Sequence, residues 1–143
     1  MLINSKGFSA IELLLVVSVM AILGAVALPQ VRNAQADYRL TSTANDVIGQ
    51  LNQARIMAIT RNADFRVSVT SSTAYAVQQE TSTNVWTTIS SYTLPTGFTI
   101  TATNTGEFHS RGTASPNGTF TVTNSNSKTR QVLVDPSGRV YAQ

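Results

Sequence analysis

The chain has 143 residues, ten Lys or Arg against seven Asp or Glu for a formal net charge of +3, and no cysteine. Disulfides, zinc–thiolate sites and thiol catalysis are thereby excluded, and so mild a charge permits an anionic partner without demanding one. The length suits one modest domain plus an anchor, because apolar residues crowd the N-terminus and the remainder is rich in Thr, Ser and Asn.

Met1 to Lys6 is short and polar, with one positive charge at Lys6. Gly7 to Leu28 then reads GFSAIELLLVVSVMAILGAVAL, and its apolar part, Phe8 to Leu28, is 21 residues long. That fits a membrane-spanning helix of ~20 residues better than the apolar core of a removable signal, ~7–15 residues. Small-x-small sites at Ala25-Val26-Ala27 and Ala34-Gln35-Ala36 leave a cleaved signal as the alternative. Glu12 is the one charged residue of the run. Such a charge costs roughly 2.5–3.5 kcal/mol at the centre of a lipid-embedded helix and less near its end. Something must offset it.

Pro29 closes the apolar run, and a proline there predicts a helix bent or loosened at that point. Helical patterning resumes beyond it. Leu40, Ala44, Val47, Leu51, Ala54 and Ala58 recur at spacings of three and four, one apolar face, bordered by Ile48, Arg55 and Ile59. The reading is one long helix from about Phe8 to Thr60, roughly 80 Å at 1.5 Å per residue. Its first half is apolar all round and its second half amphipathic. Arg55 and Arg61 fall near its C-terminal end, where positive charge suits the helix dipole.

From Asp64 the period changes to two. Phe65–Val69, Tyr75–Val77, Trp86–Ile89, Tyr92–Leu94, Phe98–Ala102, Gly118–Thr123 and Gln131–Val134 are the strand candidates. Ser115-Pro116-Asn117-Gly118 and Asp135-Pro136-Ser137-Gly138 carry the proline and glycine of type I turns, the second predicting a hairpin between Val132–Val134 and Arg139–Tyr141. Thr103–Thr105 and Asn124–Thr129 read as polar loops. Strands that follow a single amphipathic helix predict an α+β domain, an antiparallel sheet packed on the helix.

Lys6-Gly7-Phe8-Ser9-Ala10-Ile11-Glu12-Leu13 resembles the leader and cleavage site of type IV pilins and type II secretion pseudopilins. The resemblance implies that a dedicated inner-membrane peptidase cuts between Gly7 and Phe8 and methylates the new N-terminal Phe8. It also implies that Glu12 is the glutamate fifth in the mature chain and Pro29 the helix-loosening proline. Ser9 and Ala10 stand where Thr and Leu are commoner. In that reading residues 1–7 are a cleaved leader, 8–29 a transmembrane and assembly helix, and 30–143 a soluble head that includes the amphipathic half-helix. The N-terminal amine of a neighbouring subunit's Phe8 then offsets the charge of Glu12 and sets the register of stacking. A carboxylate that snorkels to the headgroups is the plainer alternative.

Leu51-Asn52-Gln53-Ala54-Arg55-Ile56-Met57-Ala58-Ile59-Thr60-Arg61-Asn62 is similar to the end of the helix in the GspH/FimT group. Phe108-His109-Ser110-Arg111-Gly112 through Gly118-Thr119 to Gly138-Arg139-Val140 is similar to that group's closing pattern. This implies a minor pilin or pseudopilin, in the inner membrane before assembly and in a periplasmic or extracellular filament after it. The implied partners are other pilin subunits, the prepilin peptidase and the membrane. Pro29 and the cysteine-free domain lean toward a pilus over a secretion pseudopilus.

Some FimT-like members bind DNA through a basic G-R-x-R motif, but here Gly138-Arg139-Val140-Tyr141 lacks the second arginine. Lys128, Arg130 and Arg139, with Arg111, are the candidate phosphate contacts. The favoured reading of these charges is a solvated edge strand that they protect from pairing. Tyr75, Trp86 and Tyr92 read as packing aromatics rather than base-stacking ones. No enzyme or cofactor is expected, because His109 is the single histidine and no catalytic motif surrounds it. No metal site is expected either, since the carboxylates beyond Pro29 are scattered along the chain.

Overall fold

The structure, a computed structural model, describes residues 8–143, the side chains of 26–29 excepted. The expected leader, residues 1–7, and with it Gly7, therefore lies outside the described residues. The chain divides into two compact units, with the boundary in sequence after Asp37.

Helix α1 spans Ala10–Arg61, close to the predicted bounds. Its start is closed by the Ser9 carbonyl, which accepts from the N–H groups of Glu12 and Leu13 at 3.1 and 3.2 Å. Glu12 thus sits in the first turn, where the helix dipole favours negative charge. The helix is continuous through position 29, so the loosening expected at Pro29 is not a break. At the other end Asn62 takes a left-handed conformation (φ 49°), and the Ala63 N–H returns to the Ala58 carbonyl at 3.2 Å. Asparagine tolerates that conformation, and the returning bond satisfies a carbonyl the helix leaves open.

The second unit, Tyr38–Gln143, holds the rest of α1 and every strand. These are β1 (Phe65–Ser71), β2 (Ala74–Ser82), β3 (Val85–Thr93), β4 (Phe98–Ala102), β5 (Gly106–Phe108), β6 (Thr119–Asn124), β7 (Thr129–Val134) and β8 (Val140–Ala142). The expected α+β arrangement is present, but the strands form two four-stranded antiparallel sheets rather than one. Their orders are β3-β2-β1-β5 and β4-β6-β7-β8. The chain first leaves the first sheet after β3, where Pro95 lacks an N–H and Gly97 turns the chain at φ 90°, and returns to it only for β5. Beyond that turn β4 pairs with β6 instead of continuing the first sheet.

The predicted helical stripe, Leu40, Ala44, Val47, Leu51, Ala54 and Ala58, is buried to its full length. Alternate strand residues meet it: Phe65 and Val67, Tyr75 and Val77, Phe98 and Ile100, Phe108, Phe120 and Val122, Val132 and Val134. Burying each of the larger apolar side chains contributes ~1.5–3 kcal/mol against the entropy of ordering the chain.

Three local expectations change. The segments Trp86–Ile89 and Tyr92–Leu94 merge into the single strand β3. Strand β5, only three residues long, was not expected from the sequence at all. Ser115–Gly118 is not a type I hairpin turn; its Ser115–Pro116 peptide is cis and the stretch carries the chain from one sheet to the other. Contacts with the preceding loop hold it there, since Asn104 Nδ2 donates to the Asn117 carbonyl and the Thr119 N–H to Thr103 Oγ1. The terminal hairpin forms as predicted, pairing Val134 with Val140 and Leu133 with Tyr141.

Candidate functional site

The first unit presents its chemistry as surface. Phe8 is 81 % exposed, and Ile11, Leu13, Leu14, Leu15, Met20, Ile22 and Leu23 are exposed around every side of α1. Mean hydropathy reaches 2.6 over an 18-residue window of the helix, none of which is buried. An apolar surface of that length and extent fits a membrane anchor. Within the run Ser18 is already satisfied, its hydroxyl donating to the Leu14 carbonyl at 2.7 Å. Glu12 remains the exposed charged group in the segment, one turn from Phe8.

The structure does not bring the candidate DNA-binding residues together. Lys128 follows the turn between β6 and β7, which Asn124 closes by accepting the N–H groups of Asn126 and Lys128 at 3.0 Å each. Arg130 opposes Val122 at the same end of β7. Arg139 lies beyond the far end of β7, about 17 Å away along the strand. There its guanidinium stacks 5.4 Å from the centre of the Tyr141 ring. Asp135 organises this turn, accepting from the N–H groups of Ser137 and Arg139 and from the Ser137 hydroxyl. Those bonds, the Ser137 hydroxyl first, hold the Asp135 carboxyl below the usual range.

The turn that leads into Arg139 adjoins the loop after β5, its Gly138 packed against the Gly112 carbonyl. Arg55 Nε donates to the Gly112 carbonyl at 2.9 Å, and its NH2 group to the Ser137 carbonyl at 3.4 Å. Arg55 is therefore more than a complement to the helix dipole. It ties α1 to two loops at once, one that holds Arg111 and one that leads into Arg139.

The aromatics pack, as expected. Tyr75 and Tyr92 stack across β2 and β3 with centroids 5.4 Å apart. Burial first, then the charge of Asp46, pushes the Tyr75 phenol up to about 12. Trp86 carries the Arg66 guanidinium at 4.2 Å, while Arg66 Nε donates to Gln78 Oε1 at 2.7 Å.

One cluster escaped sequence reasoning. His109 Nδ1 lies 2.8 Å from Asp64 Oδ2, and Glu107 joins them with ligand atoms of all three within 4.8 Å of one another. The register makes this happen: Phe65 pairs with Phe108 and Arg66 with Glu107, which sets Asp64 opposite His109. Burial pushes the Glu107 carboxyl up, His109 opposes that rise, and the charges of Asp64 and Glu80 add to it. Glu107 and His109 stand two apart and so share a face, a signal the sequence does contain. The third member needed the pairing of β1 with β5, which it does not. A separate groove of about 230 Å³, lined in part by Tyr38, Asp46, Pro95 and Phe98, is smaller than the ~300–1,000 Å³ usual for small-molecule sites.

The fold matches known structures. The minor pilin FimU of Pseudomonas aeruginosa superposes with a TM-score of 0.62 at 15 % identity, covering 75 % of this chain and 90 % of that one. The minor pseudopilin EpsH of the Vibrio cholerae type 2 secretion system gives a TM-score of 0.63 at 15 % identity, covering 73 % and 96 %. At such identity the likeness shows the fold alone. No curated protein sequence matches the chain. Residues 43–138, from the buried stripe of α1 to the terminal hairpin turn, match the family described as type II transport protein GspH. The chain belongs to that family, with a pilin-like helix and two-sheet head as its fold.

Proposed function

We propose that this chain is a minor subunit of a type IV pilus, inserted in the inner membrane through the Phe8–Leu28 helix and assembled by it. The observation that carries this reading is an apolar helix exposed on all sides with a single carboxylate in its first turn. The lipid bilayer covers such a helix before assembly, and neighbouring subunit helices cover it after. In a bundle of helices Glu12 takes the freed amine of a neighbour's Phe8 as its partner, which requires cleavage after Gly7. N-methylation of Phe8 follows the same processing. Pro29 lies at the end of the apolar run, where packing in the filament requires the helix to yield.

The subunit role needs no catalysis, and the chain acts as a structural component. Its partners are other pilin subunits, the peptidase and the membrane. A type II secretion pseudopilus is the second assembly this family fits, and the family's description as a type II transport protein supports it. DNA is a weaker partner, since Lys128 and Arg130 sit at one end of β7 and Arg139 beyond the other.

Intact-mass measurement of the membrane-extracted chain tests the processing step. The expected mass is that of residues 8–143 plus one methyl group, and loss of the peptidase returns the full-length mass. A mature chain beginning at Leu28 or Asp37, or an uncut chain in the presence of the peptidase, overturns the reading.

A further inference from the structure

We propose that Asp64, Glu107 and His109 form a binding site for a divalent transition metal of the zinc type, on the outer edge of the head where β5 joins β1. Three donors of mixed type converge there from separate places in the chain, the helix–β1 junction, β5 and the residue just past it. One imidazole nitrogen with two carboxylates suits zinc and its neighbours, whereas magnesium and calcium favour oxygen alone.

The spacing is close to what a metal requires. Bonds of about 2.0–2.2 Å place neighbouring ligand atoms about 3.3–3.6 Å apart in a tetrahedron around one ion. Asp64 and His109 already stand 2.8 Å apart, and the whole set spans no more than 4.8 Å. Binding an ion parts the Asp64–His109 hydrogen bond slightly and draws Glu107 inward, with water completing the shell. Both Asp64 and His109 are about one-third exposed, at 29 % and 35 %, so an ion reaches them from solvent.

The backbone under each donor is fixed. The Asp64 carbonyl accepts from the Glu80 N–H at 2.9 Å, the Glu107 carbonyl from the Ser115 N–H at 3.0 Å, and the His109 N–H donates to the Thr113 carbonyl at 2.9 Å. Arg66 is opposite Glu107 in the ladder, yet its guanidinium turns the other way, onto Gln78 and Trp86. Among the described residues the Glu107 carboxylate makes no hydrogen bond or close ion pair; it faces the like charges of Asp64 and Glu80, offset in part by those of His109 and Arg66. A bound ion relieves that repulsion and clamps the three-residue strand β5, with the loop that follows it, to the end of α1.

Isothermal titration of Zn²⁺ into the untagged, chelator-treated full chain in detergent tests the site. The expected result is saturable one-to-one binding with a matching rise in melting temperature. Glu107→Gln and His109→Ala should each weaken binding by at least about tenfold, a directly bonded ligand being worth no less than an outer-sphere one. Glu107→Gln keeps shape and removes a repelled charge, so its metal-free melting temperature should equal or exceed that of the parent. Absence of one-to-one binding, affinity unchanged in the two variants, or equal affinity for Mg²⁺ overturns the proposal.

Discussion

The side chain of Arg55, on the last turns of α1, donates from Nε to the carbonyl of Gly112 at 2.9 Å, 57 residues further along the chain. This one bond joins the helix to the crossover between the two sheets. A second, from NH2 to the Ser137 carbonyl at 3.4 Å, adds the terminal hairpin turn. Hydrogen bonds from charged donors contribute about 1.5–3 kcal/mol. Arg55→Ala should therefore cost about 2 kcal/mol of head stability, read from urea unfolding followed by circular dichroism. Arg55→Lys should recover only part of it, because an ammonium cannot reproduce the planar fork.

Gly138 lies directly against the same loop. It has φ 78°, and a Cβ placed on it would stand 1.9 Å from the Gly112 carbonyl oxygen. Both the left-handed backbone and the contact oppose a side chain. Gly138→Ala should destabilise by about 3 kcal/mol or more, the upper end for one strained residue. Gly112→Ala should cost less, because its nearest obstacle is the movable end of the Ile59 side chain at 2.9 Å. Melting temperatures of the two variants in parallel check the order.

The face of α1 that builds the head was readable in advance, and the reason is local. Spacings of three and four are set by helix geometry whatever lies opposite. All six residues of the predicted stripe are buried, and in the alternating Phe65–Val69 stretch Phe65 and Val67 are buried as well. Arg55 shows where that logic stops. Its position near the helix end suggested a dipole effect, while its partners, 57 and 82 residues away, depend on how the sheets are folded back. Asp64 and His109, 45 residues apart, meet only because β1 pairs with β5 in a particular register. Strand β5 itself is three residues long, too short for a period of two to show. The separation of Arg130 from Arg139 has the same origin: Arg130 lies near the start of β7 and Arg139 beyond its end.

Burial separates two neighbours on the same helix. Leu51 is fully buried, whereas Ile56 is 59 % exposed. Leu51→Ala should cost about 2–5 kcal/mol, and Ile56→Ala should stay within about 0.5 kcal/mol of the parent. Chemical denaturation of the two variants measures the difference.

Tyr75 makes the head sensitive to alkali. Its phenol ionises at about 12 in the fold against 10.0 when free, raised mainly by burial. Below pH 10 neither state has lost the proton and stability is unaffected by this group. Between about 10 and 12 the unfolded chain ionises while the fold holds its proton, so stability falls as pH rises through that window. A series of melting temperatures across it should show the decline, and Tyr75→Phe should flatten it.

The central claim concerns Glu12, the charged residue of the exposed apolar helix. It is tested most directly by the amount of Glu12→Ala chain recovered in sheared filaments, quantified by mass spectrometry against the parent chain. Alanine removes the charge without disturbing the helix, so the variant should reach the membrane and be processed normally. Recovery at background level in filaments, with unchanged processed chain in the membrane, is the result expected. Incorporation equal to that of the parent would contradict the account.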